Sequence, residues 1–157
     1  MCDHCGCREF EPIQELTGEH EEILRLAWLL AEAADAGRDA PAEELRLLRG
    51  LLDVHVLKEE TGLYPELVGL DGLSDTDCAA LEEEHRELFD ALDRERFDRR
   101  DYFALAAHIE VEEMELFSAA RFRFDDGDWN DMGAAHHAAE HALGRPHSHP
   151  VDVAVRG

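Results

Sequence analysis

Apolar residues recur along the chain at intervals of three and four, and nowhere do they alternate over the length of a strand. That period predicts an all-α protein. A first run, Ile13, Leu16, His20, Ile23, Ala27, Leu30 and Ala34, begins near Pro12, a residue suited to a first helical turn, and stops at Gly37. A second follows Asp39 and Pro41, carries Leu45, Leu48, Leu52, His55 and Glu59, and is predicted to end around Gly62 to Pro65, before a Gly-rich loop at 69–73. Ser74 or Asp75 is positioned to cap a third helix through Cys78, Leu81, His85, Leu88 and Leu92. The charged stretch DRRD at 98–101 reads as a tight turn before a fourth helix carrying Leu105, His108, Glu112, Leu116 and Ala119. A shorter fifth helix fits 128–143, with Asp128 as its cap and Gly144 as its stop.

Four helices of similar length with short connections predict an up-down-up-down four-helix bundle with a short additional C-terminal helix. The chain then divides into a Cys-rich segment over 1–11, the bundle over 12–120, and the last helix with a His-rich tail over 121–157. RFRF at 121–124 reads as a strap onto the bundle.

Histidine interrupts the apolar stripe of every one of the four helices. His20 stands between Leu16 and Ile23, His55 follows Leu52, His85 stands between Leu81 and Leu88, and His108 follows Leu105. Glu59 and Glu112 come four residues after a core histidine, so each His/Glu pair shares one helix face. Two carboxylates buried without a partner would each cost on the order of several kcal/mol, so a cation is required among them.

A repeat sharpens this reading. HVLKEETGLY at 55–64 and HIEVEEMELF at 108–117 follow one template: His, a β-branched residue, two variable positions, Glu-Glu, two variable positions, Leu and an aromatic. Helices one and three share EHEEI at 19–23 and EHREL at 84–88. The chain is thus a helical hairpin written twice, and each half supplies one His from one helix and His-x-x-x-Glu from the other. Two pseudo-equivalent sets predict a dinuclear site of His20, His55, Glu59, His85, His108 and Glu112. Mixed imidazole and carboxylate donors suit iron, manganese or zinc, whereas magnesium and calcium favour all-oxygen sets. Positions left open on iron would admit dioxygen, peroxide or nitric oxide.

Composition narrows the setting. A formal charge of −23 excludes partners that are themselves polyanions, nucleic acid and anionic membrane among them. The N-terminal MCDHCGCREFEP has no apolar signal core, so a cytoplasmic protein is expected. Cys2, Cys5 and Cys7 crowd together, and Cys-x-x-Cys with His137 and His141 has the spacing of a second, zinc-binding site. His136, His147 and His149 lie close by in sequence; the alternative is two chain ends with reactive thiols. Cys78 reads as a small hydrophobe, Tyr64 as a packing residue, and Glu60 and Glu113 as solvent-facing.

The ordered set His20, His55-x-x-x-Glu59, His85 and His108-x-x-x-Glu112 resembles the hemerythrin-like HHE cation-binding domain over roughly residues 12–120. The resemblance implies a non-haem di-iron centre of two iron ions bridged by Glu59 and Glu112, with roles in oxygen binding, sensing, iron handling or peroxide chemistry. One feature departs from the oxygen carriers, which have His-x-x-x-His on the third helix: four residues either side of His85 stand Leu81 and Phe89. The ferritin-like alternative needs two Glu-x-x-His pairs, and although Glu82 precedes His85 by three, Leu105 holds the matching place before His108. Two readings remain open: a redox protein acting on a small oxidant, with an unidentified reductant, and a non-catalytic iron or oxygen sensor or cation-binding module.

Overall fold

The computed structural model describes residues 11–94 and 96–145. Among them every regular element is helical. Helix α1 is Glu11–Asp35. Helix α2 runs without a break through Ala42–Lys58, a wide π turn at Glu59–Leu63, and Tyr64–Gly69. Helix α3 is Asp75–Asp93. Helix α4 repeats the plan of α2, with Arg99–Val111, a π turn at Glu112–Leu116, and Phe117–Arg123. Helix α5 is Asp126–Ala142.

The helix starts follow from side-chain acceptors that satisfy otherwise unpaired backbone N–H groups. Of the two residues expected to cap α3, Ser74 does so, accepting from the Asp77 N–H at 3.0 Å. Two sequence expectations are corrected. DRRD at 98–101 is a capping box that opens α4: the Asp98 side chain accepts from the Asp101 N–H, and the Asp101 side chain accepts from the Asp98 N–H. Asp128 is likewise the inner member of such a box, and the cap of α5 is Asp125. In both cases the pair of aspartates three apart carries the signal.

Helix α2 does not end at Gly62 to Pro65, because the π turn absorbs an extra residue there. The Tyr64 N–H donates to the Glu59 carbonyl, five residues back, and Pro65 follows where the helix restarts and its missing N–H is tolerated.

Helix α1 packs on α2 and α4, and α3 packs on the same two, so the four form a closed ring. Helix α5 lies against α1, α2 and the Glu59–Leu63 turn. Gly62 makes this approach possible, since a Cβ there would stand 3.2 Å from the Ala135 Cβ. The apolar core is divided. One cluster holds Leu16, Leu63, Tyr64, Leu116, Phe117 and Met132; the other holds Ile23, Leu52, Leu92, Leu105 and Ile109. His20, between Leu16 and Ile23, falls in the polar layer that separates them. RFRF divides too: Phe122 is exposed at the end of α4, and Phe124 turns back into the first cluster.

Candidate metal centre

The polar layer is built from four histidines, one per helix of the ring, and two glutamates. All six predicted residues, His20, His55, Glu59, His85, His108 and Glu112, are buried, and the structure brings them together. The Nε2 atoms turn inward. His55 Nε2 is 3.2 Å from Glu59 Oε2, and His20 Nε2 is 3.6 Å from the same oxygen. His85 Nε2 is 3.2 Å from the other oxygen, Glu59 Oε1, so Glu59 spans the two histidine pairs. Glu112 presents Oε1 to both sides, 3.4 Å from His20 Nε2 and 3.2 Å from His108 Nε2.

The outer nitrogens meet a second set of carboxylates. His55 Nδ1–H donates to Glu19 at 2.9 Å, His20 Nδ1–H to Glu113 at 3.1 Å, and His108 Nδ1–H to Glu84 at 2.5 Å. His85 Nδ1 faces Glu60 at 3.8 Å. A carboxylate on the outer nitrogen orients the ring and leaves Nε2 free to bind a cation. The repeat accounts for all four: the residue before His20 or His85 accepts from the second histidine of its own hairpin, and the residue after Glu59 or Glu112 faces the first histidine of the other. Glu113 and Glu60, expected to face solvent, are part of this outer ring. Glu82 is not, since it accepts from Cys78 Sγ at 3.2 Å. Burial and the Glu82 carboxylate push the Cys78 thiol up to about 11, which keeps it protonated.

Two further residues reach the site and were missed in the sequence. The Tyr64 hydroxyl, fully buried, donates to Glu112 Oε2 at 2.8 Å and lies 3.4 Å from His85 Nε2. Its ring stacks on His85 at 5.8 Å, as Phe117 stacks on His20 at 5.6 Å. In an α-helix a residue five beyond Glu59 points roughly 140° away from it; the π turn returns it to the same face. An α-helical period therefore hides both aromatics, although the repeat had already aligned them.

Lys58 is the second. It is 0% exposed and donates to Glu19 at 2.7 Å, with Glu140 of α5 at 3.8 Å and Glu15 at 4.0 Å. Buried His136 Nδ1–H donates to Glu15 at 2.8 Å. The first half-site is thereby tied to α5 through charges, and the second half has exposed Val111 where the first has Lys58.

Electrostatics in the metal-free state follow from crowding. Burial alone would discharge each ring, but the surrounding carboxylates prevail: Glu59, 3.2 Å away, with Glu60 and Glu112 nearby, raises His85 to about 10. His20, His55 and His108 are raised by the same kind of partners against the same penalty. Burial opposes the charge of Glu19 as well, yet His55 and Lys58 hold it down at about 2. Burial and the Glu59 and Glu112 carboxylates push the Tyr64 hydroxyl up, so it stays a donor.

His20, His55, Glu59 and Glu112 form one group whose donor atoms lie within 4.8 Å of one another; Glu59, His85, His108 and Glu112 form a second. His20 Nε2, both Glu59 oxygens and Glu112 Oε1 are buried without a hydrogen-bond partner. Buried acceptors left unpaired are costly, and a cation in each group would satisfy them, so the donor set fits a pair of cations. Of the residues expected at a terminal zinc site, Cys2, Cys5 and Cys7 lie outside the described residues; His137 and His141 are exposed, and neither joins a cation-sized cluster among the described residues.

Helices arranged in a ring around two overlapping His/Glu groups define a helical protein with a candidate cation site. Residues 11–120 match the hemerythrin HHE cation binding domain, and the chain belongs to that family. No curated protein and no solved structure matches it. Among the described residues, no helix is long and apolar enough to cross a membrane.

Proposed function

We propose that this chain is a cytoplasmic dinuclear non-haem iron protein, built as an up-down-up-down bundle, that reacts with a small oxidant: dioxygen, hydrogen peroxide or nitric oxide. One observation carries the reading: the two donor groups share both Glu59 and Glu112, so each carboxylate is available to two cations at once. His20 and His55 would hold one iron and His85 and His108 the other. Iron in this setting supplies electrons to a bound oxidant. Each metal would have two imidazoles and two carboxylate oxygens, which leaves octahedral positions open.

The residues around the site serve this chemistry. Glu19, Glu84 and Glu113 hold three of the rings in register, and Glu60 stands opposite the fourth. The Tyr64 hydroxyl provides a proton-bearing donor beside the ligands. A buried donor beside the ligands, together with only one histidine on the inward face of α3, favours reaction over reversible oxygen carriage. Anaerobic loading with iron(II) should give close to two irons per chain, and mixing with dioxygen or peroxide in stopped flow should oxidise the centre. Full recovery of the reduced protein on repeated air–vacuum cycling, with no reductant added, would replace this reading with oxygen binding.

A further inference from the structure

We infer that small uncharged molecules enter through a cleft between α3 and α4 and occupy it as a ligand subsite, beside His85 and His108 only. The inference rests on the dinuclear reading above and assigns its two halves different tasks. The cleft has a volume of about 390 Å³ and ends on His85 and His108. Leu88, Ala91, Phe97 and Leu105 make its interior apolar. His85, Leu88, Leu105 and His108 also border a void of about 10 Å³ that continues inward among His55, Glu59 and Glu112.

The repeat makes the asymmetry measurable. Ala104 and Ala107 line the mouth of the cleft and are exposed. The same template positions in the first half are Leu51 and Val54, and Val54 is buried. Helix α5 covers that half, packing on α1, α2 and the turn that contains Gly62; the matching position in the second half is exposed Glu115. Small mouth residues and a missing cover thus occur together on one side, and larger residues and a docked helix on the other.

The rim defines what can pass. Glu84, Glu87 and Asp101 border the cleft, and no Lys or Arg lines it. Acidic groups at the mouth of a low-dielectric cleft repel anions and leave neutral molecules unaffected. The class of ligand is therefore a small uncharged molecule, with anions such as azide disfavoured.

The test uses full-length protein. Trp in place of exposed Ala104 or Ala107 closes the mouth without entering the core. In the iron(II)-loaded protein, A104W and A107W should slow combination with nitric oxide roughly tenfold or more, at unchanged iron content. Glu87→Lys should speed azide binding to the oxidised protein and leave nitric oxide unaffected. An unchanged nitric oxide rate in both Trp variants, with iron content normal, overturns the inference. Xenon separates this failure from failure of the iron reading: in zinc-loaded protein, its NMR shifts should gather at Leu88, Ala91 and Leu105 and vanish in A104W. If iron or nitric oxide does not bind, the dinuclear reading falls while the xenon shifts still decide the cleft; shifts elsewhere, or none, overturn it.

Discussion

Tyr64 donates a hydrogen bond of 2.8 Å to Glu112, across the bundle from its own helix, and Phe117, which occupies the matching place in the repeat, has no hydroxyl to return it to Glu59. The two aromatics stack on His85 and His20 in nearly the same way. Between these two aromatics, one oxygen atom makes the half-sites unequal. It lies on the side of the α3–α4 cleft.

Tyr64→Phe should keep both irons, since no cation donor is removed, and lower the stability of the loaded protein by about 1 kcal/mol. Oxidation by peroxide should slow, because the buried proton donor is gone. Iron analysis with stopped-flow absorbance checks both. An unchanged peroxide rate would reduce Tyr64 to a packing residue.

Glu59→Ala and Glu112→Ala should each lose both cations together, because each carboxylate belongs to both donor groups. Metal content after gel filtration reads the outcome. One cation retained at full occupancy in either variant would contradict sharing.

Lys58→Met leaves buried Glu19 without its cation at 2.7 Å. Breaking a buried pair from one side costs about 3–5 kcal/mol, so the melting temperature should fall sharply. Val111→Lys, at the exposed counterpart, should change the stability by less than about 0.5 kcal/mol. Similar effects for the two substitutions would show that the Lys58 network does not anchor the first half-site.

The metal-free protein should have a defined pH window. Glu19 is held at about 2 against an ordinary 4.5, so its contribution is present above 4.5 and lost as pH falls toward 2. His85 is raised to about 10 from 6.5, so its contribution is present below 6.5 and lost as pH rises toward 10. Stability should peak between those ordinary values and decline from 6.5 upward. Metal replaces the protons on the imidazoles, so the loaded protein should melt higher and lose that decline, and metal uptake should release protons. Melting curves of both forms near pH 6 and pH 9 test this; equal melting of the metal-free protein at the two values would show that its imidazoles are not charged in the fold.

The helix period and the doubled template were enough to place the six donors, because a residue four after another on an α-helix shares its face whatever the neighbours do. His55 with Glu59, and His108 with Glu112, obey that rule. The same rule hid Tyr64 and Phe117, since each follows a π turn that arises where Tyr64 N–H or Phe117 N–H bonds five residues back. Glu113 and Glu60 look like ordinary solvated charges along one helix, and their approach to His20 and His85 exists only once four helices close a ring.

Helix type, the repeat and the identity of the inward polar residues were thus determined by local sequence, since they depend on spacing within one helix. The inequivalence of the two halves was decided by tertiary structure. Nothing in the spacing of α1 and α2 says that α5 will fold over them, bury Lys58 among Glu15, Glu19 and Glu140, and leave the α3–α4 cleft open. That outcome depends on which faces meet, and burial of a charge is favourable only where partners from other helices arrive to compensate it.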